Sequence, residues 1–209
     1  MLASSRMLST IAEKKPADRS NRSDALSVSR TVLLAGVLTL AAGATLQAQD
    51  SPIGDPSSPH VRPSQELRAL FDEATLGSPE IRASIDRLEA LDVTVYVRAV
   101  TFVTSDLDGR VALLARAVGH RYLVIEIACG RSRLAQMSTL GHELHHALEI
   151  AEEPSVIDAR SLAAFYERIG RKTGDWGGRL TFETDAAANA GLRARRELLV
   201  YSTRRSNGT

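Results

Sequence analysis

The chain of 209 residues carries one cysteine, Cys129. An intramolecular disulfide is therefore impossible, and a cysteine-rich zinc site is excluded. Aromatic residues make up only 4% of the sequence, and no basic block with interleaved aromatics occurs, so no nucleic-acid partner is expected. The charge balance agrees, with 26 Lys and Arg against 25 Asp and Glu, a formal net of +1. No Gly-x-Gly-x-x-Gly or phosphate-loop spacing is present. The uncharged apolar run VLLAGVLTLAAGA, residues 32–44, falls short of the roughly 20 residues of a membrane span.

That short run follows Arg30 and precedes TLQAQD, which is the basic-flank, apolar-core, small-residue-exit order of a secretory signal. Residues 1–48 are read as a signal peptide cleaved after Ala48, with an uncleaved N-terminal anchor as the alternative. An exported product, periplasmic or extracellular, follows from this reading. Without residues 1–48 the counts become 20 Lys and Arg against 22 Asp and Glu, a net of −2. Residues 49–64 are dense in proline and serine and read as a flexible leader, which makes His60 a linker residue. One domain is expected over 65–202, with a disordered tail at 203–209.

Within that domain QELRALFDEATL and SPEIRASIDRLEALD have apolar residues at helical spacing. Three β-rich runs follow, at 93–103, 110–117 and 121–128, with His120 at the last turn. Their short connections predict a small, largely antiparallel sheet in an α+β fold. Cys129, directly after YLVIEIA, is expected to be buried. A helix is expected from Ser138 or Thr139 to about Glu153, where Pro154 stops it. Residues 158–170 read as a further helix, RKTGDWGGRL as a glycine-rich loop, and 181–202 as an alanine-rich helix.

The chemistry is concentrated in LGHELHHALEIAEEP, residues 140–154. Residues four apart share a helix face, so His142 and His146 can converge on one ion. Glu143 beside them is placed to take a proton from water, without being a ligand itself. The structural alternative is a polar helix face whose histidines bind nothing. His145 lies on the flank of that face and reads as a surface or partly buried residue. Glu149 shares the histidine face one turn on, which suits a carboxylate behind a ligand, or a contact to an arginine of a neighbouring helix. It suits a third ligand less well, because three donors from one straight helix cannot surround an ion.

The His142-Glu143-x-x-His146 stretch resembles the active-site helix of the zincin metallopeptidases. Glu149 and Glu152 stand where the metzincin branch has its turning glycine and third ligand, so that branch is set aside. The gluzincin branch places its third ligand on a glutamate of a later helix, and Glu183 in FETDAAANAG is the position that corresponds, although Phe182 replaces the asparagine of that motif. The resemblance implies Zn2+ held by His142, His146 and Glu183, with Glu143 as the catalytic residue acting on a peptide or protein substrate. Asp185 is expected either behind the ligands or simply favouring its helix N-terminus. Tyr166, Tyr201 or an arginine would assist the oxyanion. The run from YVRAV through RYLVIEIA to FETDAAANAG also resembles a group of small, largely uncharacterised exported bacterial proteins, over roughly residues 65–200. The rival reading is a non-catalytic metal-binding or structural envelope protein.

Overall fold

The computed structural model describes residues 9–13, 58–102, 107–176 and 179–208. The apolar run 32–44 and the expected cleavage point at Ala48 lie outside them. Strand β1 (Ser9–Glu13) is followed by β2 (Val61–Pro63), α1 (Arg68–Gly77) and α2 (Pro79–Glu89). Strands β3 (Val93–Val100), β4 (Gly109–Ala117) and β5 (His120–Ala128) lead into α3 (Arg133–Glu152) and α4 (Ala159–Ile169). Strands β6 (Arg171–Trp176) and β7 (Arg179–Glu183) and helix α5 (Asp185–Asn207) complete the chain.

The architecture is α+β, with a sheet of order β2-β3-β5-β4 packed against α3. The sheet is mixed rather than largely antiparallel. The β4–β5 hairpin is antiparallel, but β3 pairs with β5, and β2 with β3, in parallel. Short connections did predict the hairpin, whose turn needs the positive φ of Gly119. They did not reveal that β4 lies outside β5, leaving β3 to pair with β5 directly. Val93, Val95, Val97, Leu123, Ile125 and Ile127 are buried and form the core with Leu140, Leu144 and Leu148 of α3.

Helix α3 starts earlier than expected because Ser132 caps it, accepting from the Ala135 N–H. It is buried on nearly every side, between the sheet, α2 and α5. Its far end is held by Arg121 of β5, whose Nη1 donates to the carbonyls of Ile150 at 2.6 Å and Glu153 at 2.8 Å. These carbonyls lie at the helix end, where each has one backbone partner at 3.2–3.3 Å, the Glu153 N–H for Ile150 and the Val156 N–H for Glu153, and the guanidinium adds a second. Helix α5 comes close to α3 because small residues face each other. A Cβ on Gly141 would sit 2.7 Å from the Ala194 Cβ, and one on Gly191 would sit 3.0 Å from the His142 Cβ.

Several expectations from the sequence need correction. The glycine-rich segment after α4 is an antiparallel hairpin, β6–β7, so Glu183 ends a strand instead of beginning a helix. α5 extends to Asn207, well into the segment expected to be a disordered tail. Val61–Pro63 forms a strand inside the expected leader, held by Glu89, whose carboxylate accepts from the backbone N–H groups of His60 and Val61. Cys129 is exposed, because it lies past the last residue of β5 at a turn. Ser9–Glu13 pairs antiparallel with β7, a backbone pairing that leaves the export reading of residues 1–48 as a proposal.

Candidate metal centre

Helix α3 sets His142 and His146 one turn apart, with ring centroids 4.9 Å apart and planes at 72°. Both histidines and Glu143 are fully buried. Glu183 reaches them from the end of β7 and divides its carboxylate between the two rings. Oε2 lies 3.4 Å from His142 Nε2, and Oε1 lies 3.4 Å from His146 Nε2. Among the described residues this is the one group of three or more His, Cys, Asp or Glu side chains whose ligand atoms lie within 4.8 Å of one another.

A separation of 3.4 Å is long for a charge-assisted hydrogen bond, but it suits atoms that share an ion. Donors at 2.0–2.2 Å from a tetrahedral zinc lie about 3.3–3.6 Å from each other. His146 Nε2 is buried and makes no hydrogen bond, a costly state for a buried polar atom that an ion would relieve. The donor set, two imidazoles and a carboxylate, therefore fits Zn2+. With the distal glutamate, the cluster matches a gluzincin-type zinc site, and the arrangement is that of a metallopeptidase-like active site. No protein-family model matches the chain, and no curated protein or solved structure matches it either.

The two histidines titrate in opposite directions. Burial, reinforced by the neighbouring His146 and His145, holds His142 well below its ordinary pKa, in the neutral form that binds metal. Burial opposes charge on His146 as well, but the hydrogen bond to Glu149, the Glu183 carboxylate facing the ring and the charge of Glu143 outweigh it and raise His146 to about 9. A proton and a metal ion thus compete for that ring.

Behind His146 lies a small polar network. Its Nδ1 donates to Glu149 Oε2 at 2.7 Å, and the Tyr166 hydroxyl lies 3.2 Å from both atoms. Glu149 Oε1 accepts from the Thr184 hydroxyl at 2.6 Å. So Glu149 does stand behind a ligand, and its partner on the far side is Thr184 rather than an arginine. Tyr166 is not placed to assist an oxyanion, since its hydroxyl is engaged on the Nδ1 side of the ring, away from Glu183. Tyr201 packs at Gly77 on α1, where an added Cβ would meet its ring at 2.9 Å.

The other sequence candidates fall elsewhere. His145 is partly buried on the flank, 4.0 Å from Glu149 Oε1, and burial lowers its pKa. Glu152 pairs with Arg87 at the surface. Asp185 is exposed and bonds Arg171 at 2.9 Å, so of its two expected roles only the place in the first turn of α5 is occupied. His120 bonds Thr94 at 2.9 Å at the end of the sheet. Two contributors escaped the sequence reading, Thr184 and Gly109. A Cβ on Gly109 would lie 3.0 Å from Glu143 Oε1, so β4 runs directly against the glutamate. A cavity of about 460 Å³ opens onto Glu149, Glu183, Thr184 and Arg171.

Proposed function

We propose that this protein is a zinc-dependent metallopeptidase-like hydrolase of the cell envelope, with Glu143 as its general base. The observation that carries the reading is the pair of 3.4 Å approaches between the two Nε2 atoms and the divided Glu183 carboxylate. Zinc held there by His142, His146 and Glu183 would supply a Lewis acid that polarises a carbonyl and lowers the pKa of water. Glu143 follows His142 on the same buried helix turn, so its carboxylate can take the proton of the attacking water. It can then return that proton to the leaving amine. Burial of the helix strengthens each of these charge interactions by excluding solvent. The secretory pattern of residues 1–48 supports the envelope location, and no helix among the described residues is long and apolar enough to cross a membrane.

A second reading is favoured by one observation. His142, Glu143 and His146 have no exposed surface, which also suits a protein that holds a metal without turning over a substrate. The Glu143→Gln variant separates the two. An amide cannot accept the proton, yet it keeps the shape, so zinc per chain should stay at the wild-type value while hydrolysis of a broad peptide library falls by about 10²-fold or more. His142→Ala should lose the metal and the activity together. Equal cleavage by wild type and Glu143→Gln rejects Glu143 as the base. A zinc-loaded wild type that cleaves nothing in the library favours the binding protein.

A further inference from the structure

Thr184 follows Glu183 directly and is the N-cap of α5. It is almost wholly buried, and three of its hydrogen bonds, from its N–H and at its hydroxyl, bear on the site. Its backbone N–H donates to Glu183 Oε1 at 2.9 Å. Its hydroxyl accepts from the Ala187 N–H at 3.1 Å and donates to Glu149 Oε1 at 2.6 Å. Glu149 then receives the His146 Nδ1–H on its other oxygen, at 2.7 Å. We propose that Thr184 is a positioning residue of the metal centre, orienting two of its three donors, Glu183 directly and His146 through Glu149. The inference rests on the zinc reading of the cluster.

The chemistry of the cap supports it. An N-cap needs only an acceptor, and Asn and Asp fill that place as well as any residue. Neither carries a hydroxyl, which accepts and donates at one atom. With its lone pair on Ala187, the Thr184 oxygen has its single proton left for Glu149. That bond fixes the rotation of the Glu149 carboxylate, so Oε2 faces Nδ1. An imidazole whose Nδ1–H is held in this way presents Nε2 to the metal in a set tautomer and orientation. The start of α5 and the orientation of His146 are thereby a single arrangement.

The test is zinc affinity of the full chain, measured by competition with a chromophoric chelator, beside the thermal midpoint of the zinc-free protein. Thr184→Val should bind zinc about 10–100-fold more weakly, the range expected when a residue behind a ligand is removed. Thr184→Ser, which keeps the hydroxyl, should restore near wild-type affinity. In a Glu149→Leu background the valine should add little further loss, because the path to His146 is already cut. Thr184→Asn keeps a cap acceptor, and it should retain the zinc-free midpoint while still binding zinc more weakly. Wild-type affinity in the valine or asparagine variant overturns the proposal, as does an equal valine effect with and without Glu149. Failure of the wild type to bind zinc, or binding that survives His142→Ala, would instead reject the zinc reading itself.

Discussion

Gly109 shows how much the centre depends on side chains that are missing. A methyl group there would lie 2.4 Å from the Thr139 Cγ2 and 3.0 Å from Glu143 Oε1. Thr139 is buried in the middle of α3 and has nowhere to move. Gly109→Ala should therefore cost about 1–3 kcal/mol of stability, the usual penalty of overpacking, while the zinc content is retained because no ligand is removed. Adding Thr139→Ser takes away the clashing Cγ2 and should recover most of the loss. Denaturant unfolding of the single and double variants checks both. At this scale the sequence was legible where chemistry follows spacing, in the histidines four apart, while Glu183 was reached through the resemblance to the gluzincin motif. It was not legible for Gly109, which reads as an ordinary turn residue after Asp108. Thr184 has the same difficulty, since a threonine before an alanine-rich helix reads as a cap and nothing more.

At the scale of elements, the sheet is tied by a charge ladder across its three longest strands. Glu126 of β5 stands in register with Arg98 of β3 and Arg110 of β4, and it pairs with both. Burial alone would raise the Glu126 pKa, but the hydrogen bonds from Arg110 and Arg98 prevail and lower it. A carboxylate depressed in the folded state adds stability above its unfolded value near 4.5, and that stability is lost as pH falls through the lower folded value. Glu126→Gln should thus destabilise the protein at pH 7 by about 1–3 kcal/mol, tempered because Arg98 is half exposed. It should also flatten the decline of stability below pH 4.5, and thermal midpoints at pH 7 and pH 3.5 measure both effects. The helices were legible because apolar periodicity and caps are local signals. The β6–β7 hairpin was not, because Gly174, Gly177 and Gly178 mask the strand signal that Thr173, Thr181 and Phe182 carry. Strand order was not readable either, since pairing β3 with β5 is a choice made in three dimensions.

For the whole molecule, the metal should behave as a ligand of the folded state alone. At a free zinc concentration of 100 Kd the stabilisation is about 2.7 kcal/mol. In a domain of this size each kcal/mol moves the midpoint by about 2–4 °C, so stripping the ion with a chelator should lower it by about 5–10 °C. Scanning calorimetry with and without chelator gives the answer, and His142→Ala should show no chelator effect.

The position of Glu183, 37 residues after His146, gives the ion a further part. An ion shared between them clasps α3 to the end of β7 and closes the whole excursion through α4 and the hairpin into a loop. A disulfide closing a loop of that length would confine the unfolded chain by about 4 kcal/mol, whereas an ion bound by the folded state alone holds the loop only while the chain is folded. A chain with one thiol cannot make that clasp from sulfur. Its covalent substitute can be opened by scavenging metal or by acid, and a reductant leaves it shut.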